Sequence, residues 1–470
     1  MDASFKTGQG PWNPDRQWAD PLITLLMLLC VFLGMAHLRA RSSSAAKPPE
    51  HVGLMGRVAE VQALGQKLGK GAGAFKGGLS GFQERMEDPW DRALLSVLLA
   101  ESADARDRAS AKDLALSGSA SAGPVTKRGD HPDTASMEIF RKGWAWAYAN
   151  GPALGEQDQK TLLQALGGDY GARLLKARWA ERQGQDGAWL RQEAEALAMG
   201  RVLLFGVVGL VVLGLAFAGA VFAVMLILTR KVPRRFSPVV YGMSPRAALL
   251  VFFGWLTVQM GSGFLMAPLL MVLPFLKSVA LPLAYGLQVA AGVSFLCAAE
   301  NITLKQLAHR VAPGSHGRSL AWGLGFLALG LASVLAVALL MAPFLKGAQP
   351  PQKELLDLVG KTRGPFSLAL LFLTVAVVAP CFEELMFRGF LLPFLSQKWK
   401  SLRGGTLMAL LATGLLFGLI HLQPVAIPTL ATLGIVLGLA VLRTGNLLTS
   451  ILVHGLWNGG VFLIMRLFLT

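Results

Sequence analysis

Glu383, Glu384 and Arg388 fall within "APCFEELMFRGF" (379–390), a segment whose flanks are "FSLALLFLTVAVV" and "LLPFL". A charge at the centre of a bilayer helix costs ~2.5–3.5 kcal/mol on insertion scales, so three within six residues need a use. Glu384 and Arg388 stand at i and i+4, where they share a helix face and can pair. Glu383 points about 100° away, toward a cavity or a different neighbour. Pro380, just upstream, lacks an N–H. It can kink the helix, free a carbonyl near the carboxylates and open space beside them. A buried ion pair that fixes helix packing accounts for Glu384 and Arg388 and leaves Glu383 without a role. Two further apolar stretches carry polar groups: His421 ends "LMALLATGLLFGLIH", and "LVHGLWNGG" sets His454 and Asn458 at i and i+4. A single intramembrane histidine more often bonds one helix to another than it catalyses. Two histidines, an amide and a carboxylate pair form a set. Glutamate with histidine can polarise a water as general base, and histidine with asparagine can donate to an oxyanion. That is equipment for hydrolysing a peptide bond inside a membrane.

The elements that must carry these groups are membrane helices. The chain of 470 residues is 53% hydrophobic and 15% charged, with a mean hydropathy of +0.50, which is too apolar for an ordinary soluble protein of this length. Runs of about twenty apolar residues predict nine spans, near 21–38, 202–229, 248–273, 278–298, 319–344, 365–394, 404–421, 426–443 and 446–468. The expected fold is an all-α polytopic membrane protein with an inserted helical soluble domain at 40–200. The expected divisions are 1–39 with the first span, 40–200, 201–247 with the second span and a basic loop, and 248–470 as the domain bearing the site.

The net charge of +16 could suggest nucleic acid, but its distribution excludes that partner. Residues 40–200 hold 21 Lys and Arg against 20 Asp and Glu, whereas 201–470 hold 20 against 5. The excess cations lie between apolar runs, as in loops that face anionic lipid. Arg230, Lys231, Arg234, Arg235 and Arg246, then Lys305, Arg310 and Arg318, then Lys398, Lys400 and Arg403 fall on one side of nine spans, which is read as cytoplasmic, with 40–200 outside. Lys346, Lys353, Lys361 and Arg363 run against the rule on the other side, diluted by Glu354 and Asp357. Residues 40–200 contain helix-forming stretches such as "DRALLSVLLAESADARDRA" between the linkers "SSSAAKPPE" and "SGSASAGP", and no chemical motif. Their partner is not specified by the sequence. Cys30, Cys297 and Cys381 lie in apolar runs without the spacing of a zinc or redox site. The first apolar run exceeds a signal-peptide core, lacks an A-x-A cleavage site and reads as a retained anchor.

EExxxR on one apolar helix, FxxxH on the next motif-bearing helix and HxxxN on the last resemble the CPBP family, which includes the Rce1-type CAAX prenyl proteases and bacteriocin-processing or immunity proteins. Here the motifs run Glu383 to Arg388, Phe417 to His421 and His454 to Asn458, and the resemblance covers about 365–470. It implies that Glu383 and His421 activate the attacking water. It further implies that His454 and Asn458 form the oxyanion hole, that Glu384 and Arg388 brace the site, and that Phe417 packs beside it. The substrate would be a membrane protein or peptide, and the location an integral one, in the bacterial plasma membrane or alternatively the thylakoid. No cofactor is favoured. Zn²⁺ is the alternative, with Glu383, His421 and His454 as ligands, but there is no HExxH and Asn458 suits an oxyanion better than a metal. The competing functions are a non-catalytic scaffold or immunity protein of the same fold, which would not need the full set, and a proton-coupled transporter, which would show inverted repeats.

Overall fold

The computed structural model describes residues 19–43, 89–102, 104–116, 133–166, 170–229, 243–273, 279–311, 316–344 and 364–469, with a few isolated positions between them. Among the described residues there are helices and no strands. Linker residues 44–50 and 117–124, and the basic residues Arg230, Lys231, Arg234, Arg235, Lys346, Lys353, Lys361 and Arg363, lie outside them. The chain divides into two compact units, residues 46–211 and residues 1–45 with 212–468.

The unit at 46–211 contains α2 (Pro89–Ala100), α3 (Ala105–Leu116), α4 (Asp133–Tyr148), α5 (Glu156–Ala165), α6 (Tyr170–Arg182) and the first part of α7 (Ala188–Thr229). Its core is aromatic and aliphatic: Trp90, Leu94, Phe140, Trp144, Leu175 and Trp179 are all buried. Trp146 and Trp179 stack at 5.4 Å, and the Trp179 indole N–H donates to the Gly143 carbonyl at 2.9 Å. A polar clasp joins three helices. Arg191 donates to Glu181 at 2.8 Å and to Glu101 at 2.6 Å, and the Tyr148 hydroxyl donates to Glu101 at 2.9 Å.

The other unit is built from α1 (Ala19–Ser43), the rest of α7, α8 (Pro245–Val272), α9 (Ala280–Glu300), α10 (Leu304–Val311), α11 (His316–Met341), the long helix α12 over Pro365–Lys398, α13 (Gly405–Leu419), α14 (Ile427–Thr444) and α15 (Leu447–Leu469). Large apolar side chains on these helices point outward, among them Leu213, Phe217, Leu228, Met271 and Phe366. Such a surface suits lipid and would be unstable in water. Eight helices among the described residues are long and apolar enough to cross a membrane. The predicted seventh span is the exception. It forms α13, with 15 residues, about 22 Å against a hydrocarbon core of about 30 Å. A turn at 420–423 ends it, with Leu422 in the left-handed region (φ 53°) and Pro424 opening the next helical turn.

The helix pairs oriented by their contacts run in the directions that nine traverses would require. Asp20 and Arg246 form a two-pronged ion pair at 2.7 and 2.8 Å. Cys30 meets Thr257 at 3.2 Å one side of the seam further along, so α1 and α8 run parallel. In the C-terminal half, α12 runs parallel to α14, since Arg388 meets Gly434 and Leu392 faces Gly438. It runs antiparallel to α15, since Glu384 meets His454 and Phe372 meets Phe462. Helices α13 and α14 are antiparallel and nearly touch backbone to backbone. A Cβ on Gly434 would come within 3.0 Å of the Gly414 Cα, and one on Gly418 within 2.8 Å of the Ile427 carbonyl oxygen. In a membrane, where apolar burial drives no association between helices, this close approach supplies the packing energy.

Candidate active site

Helix α12 carries the charged segment, and it is not a uniform α-helix. π-helical turns occupy Thr374–Val378 and Leu385–Leu391, on either side of the α-helical Ala379–Glu384. The first follows from Pro380. In the π register the Val375 carbonyl would accept from residue 380, which has no N–H. That orphaned carbonyl accepts instead from Asn458 Nδ2 at 3.0 Å. The freed carbonyl expected from Pro380 is therefore present, and its partner is a residue of the HxxxN motif. The neighbouring Ala376 carbonyl faces Gly455, where a Cβ would come within 2.8 Å of the oxygen. Gly455 lets α15 approach closely enough for the Asn458 bond to form.

Glu384 and Arg388 pair as their spacing predicts. Arg388 Nη1 donates to Glu384 Oε1 at 2.8 Å, and both side chains are buried, 1% and 0% exposed. Arg388 Nη2 donates to the Gly434 carbonyl at 2.8 Å, and the guanidinium lies over the Phe417 ring, 4.7 Å from its centroid. One arginine thus ties α12 to α14 and α13. Ser450 stands beside the same carboxylate, with its hydroxyl donating to Leu447.

His454 joins the two glutamates. Its Nδ1 lies 2.9 Å from Glu384 Oε1, and its Nε2 lies 3.8 Å from Glu383 Oε2. A carboxylate paired with arginine accepts hydrogen bonds, so Nδ1 is the donor there. In a neutral ring, Nε2 then carries a lone pair and faces a second acceptor. The two become complementary when the ring is imidazolium or when a proton donor stands between them. His421 is fixed differently. Its Nδ1 is 2.7 Å from the Phe417 carbonyl, one turn back on the same helix. A carbonyl only accepts, so Nδ1 carries the proton and Nε2 is the basic nitrogen.

Phe417 is fully buried and seats both imidazoles, with edge-on ring contacts to His421 at 5.0 Å and to His454 at 5.6 Å. Behind it Phe387 and Trp255 continue the aromatic wall at 5.4 and 5.9 Å. The seven residues singled out in the sequence thus gather where the middle of α12 meets the C-terminal end of α13 and the middle of α15. Glu383, Glu384 and His454 are in one charged cluster, Phe417 adjoins it, and His421 adjoins Phe417. Asn458 is held at the π turn of α12. Sequence reasoning missed two contributors. The Gly434 carbonyl leaves no trace in residue type. Tyr285 on α9, whose hydroxyl lies 3.5 Å from Glu383 Oε1, is legible only as a phenol in a largely apolar span. As to a metal, no three His, Cys, Asp or Glu side chains among the described residues converge as a ligand set. In the alternative trio of Glu383, His421 and His454, both Nδ1 atoms are engaged by an acceptor, so Nε2 of each ring is the nitrogen that a metal ion would take.

Comparison with known families adds a match over residues 365–460 to the type II CAAX prenyl endopeptidase Rce1-like family. This part of the chain is similar to that family. The match takes in α12, α13, α14 and the part of α15 that bears His454 and Asn458, and it leaves α1 to α11 outside. No curated protein matches the chain, and no solved structure does. With this match, the eight long apolar helices make the chain an integral membrane protein.

Proposed function

We propose that the protein is an intramembrane endopeptidase in which Glu383 activates the attacking water. The observation that carries this reading is His454, placed between a carboxylate braced by arginine and a second carboxylate with no such brace, at 2.9 and 3.8 Å. Glu384 carries its charge opposite Arg388 and serves to orient the ring. Among the described residues no Lys or Arg pairs with Glu383, and it is the group left to take a proton.

Glu383, with the basic Nε2 of His421, accepts a proton as the water oxygen bonds to the scissile carbonyl carbon. The carbonyl oxygen becomes an oxyanion. His454, whose ring Glu384 orients through Nδ1, donates to it from Nε2, and Asn458 supplies the Nδ2 hydrogen not given to Val375. As the C–N bond breaks, the proton held at Glu383 passes to the leaving amine. Water is consumed and two peptides result, with no metal in any step. The substrate class we infer is a membrane-bound peptide or protein, with a prenylated C-terminus as the first candidate from the family's description. We also infer that the N-terminus of α1 and the loop before α8 share the cytoplasmic side, as their ion pair and the basic loops support, and that the unit at 46–211 lies outside.

The test is a comparison of membrane peptides in cells carrying wild-type protein and Glu383→Ala, with chelator added to wild-type membranes as a separate arm. Fragments that vanish with Glu383→Ala and persist in chelator support the proposal. Identical peptide sets in the two strains, or loss of the fragments in chelator with recovery on added Zn²⁺, overturn it.

A further inference from the structure

We infer that Tyr285 is a positioning residue for Glu383, supplied by a helix outside the Rce1-like segment. This rests on the reading of Glu383 as the water-activating base. Tyr285 lies on α9, which is not part of 365–460. Its hydroxyl donates to Glu383 Oε1 at 3.5 Å, while Oε2 is the oxygen that faces His454 Nε2 at 3.8 Å. The two oxygens therefore have different neighbours. The phenol takes one, and the other is presented to the imidazole.

The packing makes this contact specific. Helix α9 is pinned against α12 at Gly292, where a Cβ would come within 2.4 Å of the Phe382 ring. Phe382 is the residue before Glu383, and its ring also meets Trp255 of α8 at 5.8 Å. The backbone that bears the carboxylate is thus clamped by α8 and α9 while the phenol reaches its tip. A carboxylate is an acceptor-only group with two nearly equivalent oxygens that exchange by rotation about χ3. An O–H donor on one of them removes that exchange and leaves the second oxygen aimed. At 3.5 Å the bond is long, as catalytic hydrogen bonds are before substrate tightens the site. The tyrosine touches neither substrate nor water in this role. It acts through Glu383.

The experiment uses full-length protein in liposomes with a fluorogenic farnesylated C-terminal peptide as probe, and compares wild type, Tyr285→Phe and Glu383→Gln. Phenylalanine keeps the ring and deletes only the hydroxyl. The expected result for Tyr285→Phe is a fall in kcat of about tenfold, the size of one hydrogen bond to a charged group, with KM and thermal unfolding unchanged. A merely structural ring would leave kcat unmoved. In parallel, labelling of Glu383 by a carbodiimide is followed by mass spectrometry, without substrate. Uncovering Oε1 should speed labelling severalfold in Tyr285→Phe. Equal labelling in the two proteins overturns the inference whatever the turnover, as does an unchanged kcat in protein that cleaves the probe. If wild type fails to cleave, or if Glu383→Gln cleaves as well as wild type, the protease reading fails instead, and the labelling rates still decide the Tyr285 contact.

Discussion

Truncating Arg388 should be the most damaging single change in the membrane unit. Arg388→Ala leaves Glu384 buried at 0% exposure with its counter-charge gone. Removing one member of a buried pair costs about 3–5 kcal/mol in soluble proteins. His454 Nδ1 still donates to the carboxylate, which argues for the lower end. The guanidinium also stacks on Phe417 and bonds the Gly434 carbonyl, and the stacking adds about 0.5–2 kcal/mol. A total near 4 kcal/mol is the expected loss. The carboxylate, rather than the missing arginine atoms, carries most of it. Combining Glu384→Gln with Arg388→Met should therefore recover more than half, because a neutral amide keeps a partner in His454 without an unpaired charge. Denaturant unfolding in detergent can be followed through Trp255, which lies 5.9 Å from Phe387 in the same wall. An Arg388→Ala protein within about 1 kcal/mol of wild type, or a double variant as unstable as the single, would refute the argument that an uncompensated buried charge dominates.

Asn458→Ala separates two roles of one amide. As an oxyanion donor its loss lowers turnover by about 10²–10³, whereas a residue that serves only the Val375 carbonyl would lower stability and leave kcat intact; we expect both readouts to fall, in a paired assay of turnover and thermal unfolding. In the unit at 46–211, the hydrogen bond from Arg191 holds the Glu181 carboxyl down at about 2. The folded value lies below the ordinary one, so this stabilisation is complete above about pH 4.5 and is lost as pH falls toward 2; tryptophan fluorescence unfolding of the full chain should show wild type and Glu181→Gln converging over that window, and a constant gap would contradict it. Reporter fusions at residues 120 and 240 should report opposite sides of the membrane, and the same side for both would break the inferred orientation.

Much of this was legible in the sequence because membranes make charge conspicuous. Glu384 and Arg388 could be paired from their i, i+4 spacing alone, since in an apolar helix there are few other partners. Pro380 announced a freed carbonyl, because a missing N–H has a geometric consequence wherever the fold places it. What took that carbonyl was not legible: Asn458 is 83 positions away, and nothing in its local sequence sets the register of α15 on α12. The same holds for His454. Its spacing to Asn458 shows a shared face, but only packing through Gly455 reveals that its ring reaches both glutamates. The length of the seventh span was misjudged because apolar composition continues through the turn at 420–423, while the backbone there turns at Leu422. Tyr285 escaped notice because a single phenol in an apolar helix is ordinary until its neighbour proves to be a carboxylate.

The central claim is that the Glu383 carboxylate does chemistry that its neighbour Glu384 does not. Purified full-length protein in liposomes, given the farnesylated peptide probe, tests it directly when Glu383→Gln is compared with wild type after thermal unfolding has established that both are folded. Glutamine keeps the shape and the Tyr285 contact but cannot take a proton. The account predicts cleavage by wild type, its loss in Glu383→Gln, and unfolding temperatures that coincide. Cleavage that survives in Glu383→Gln, or a Glu383→Gln protein that unfolds as readily as Arg388→Ala, would contradict it.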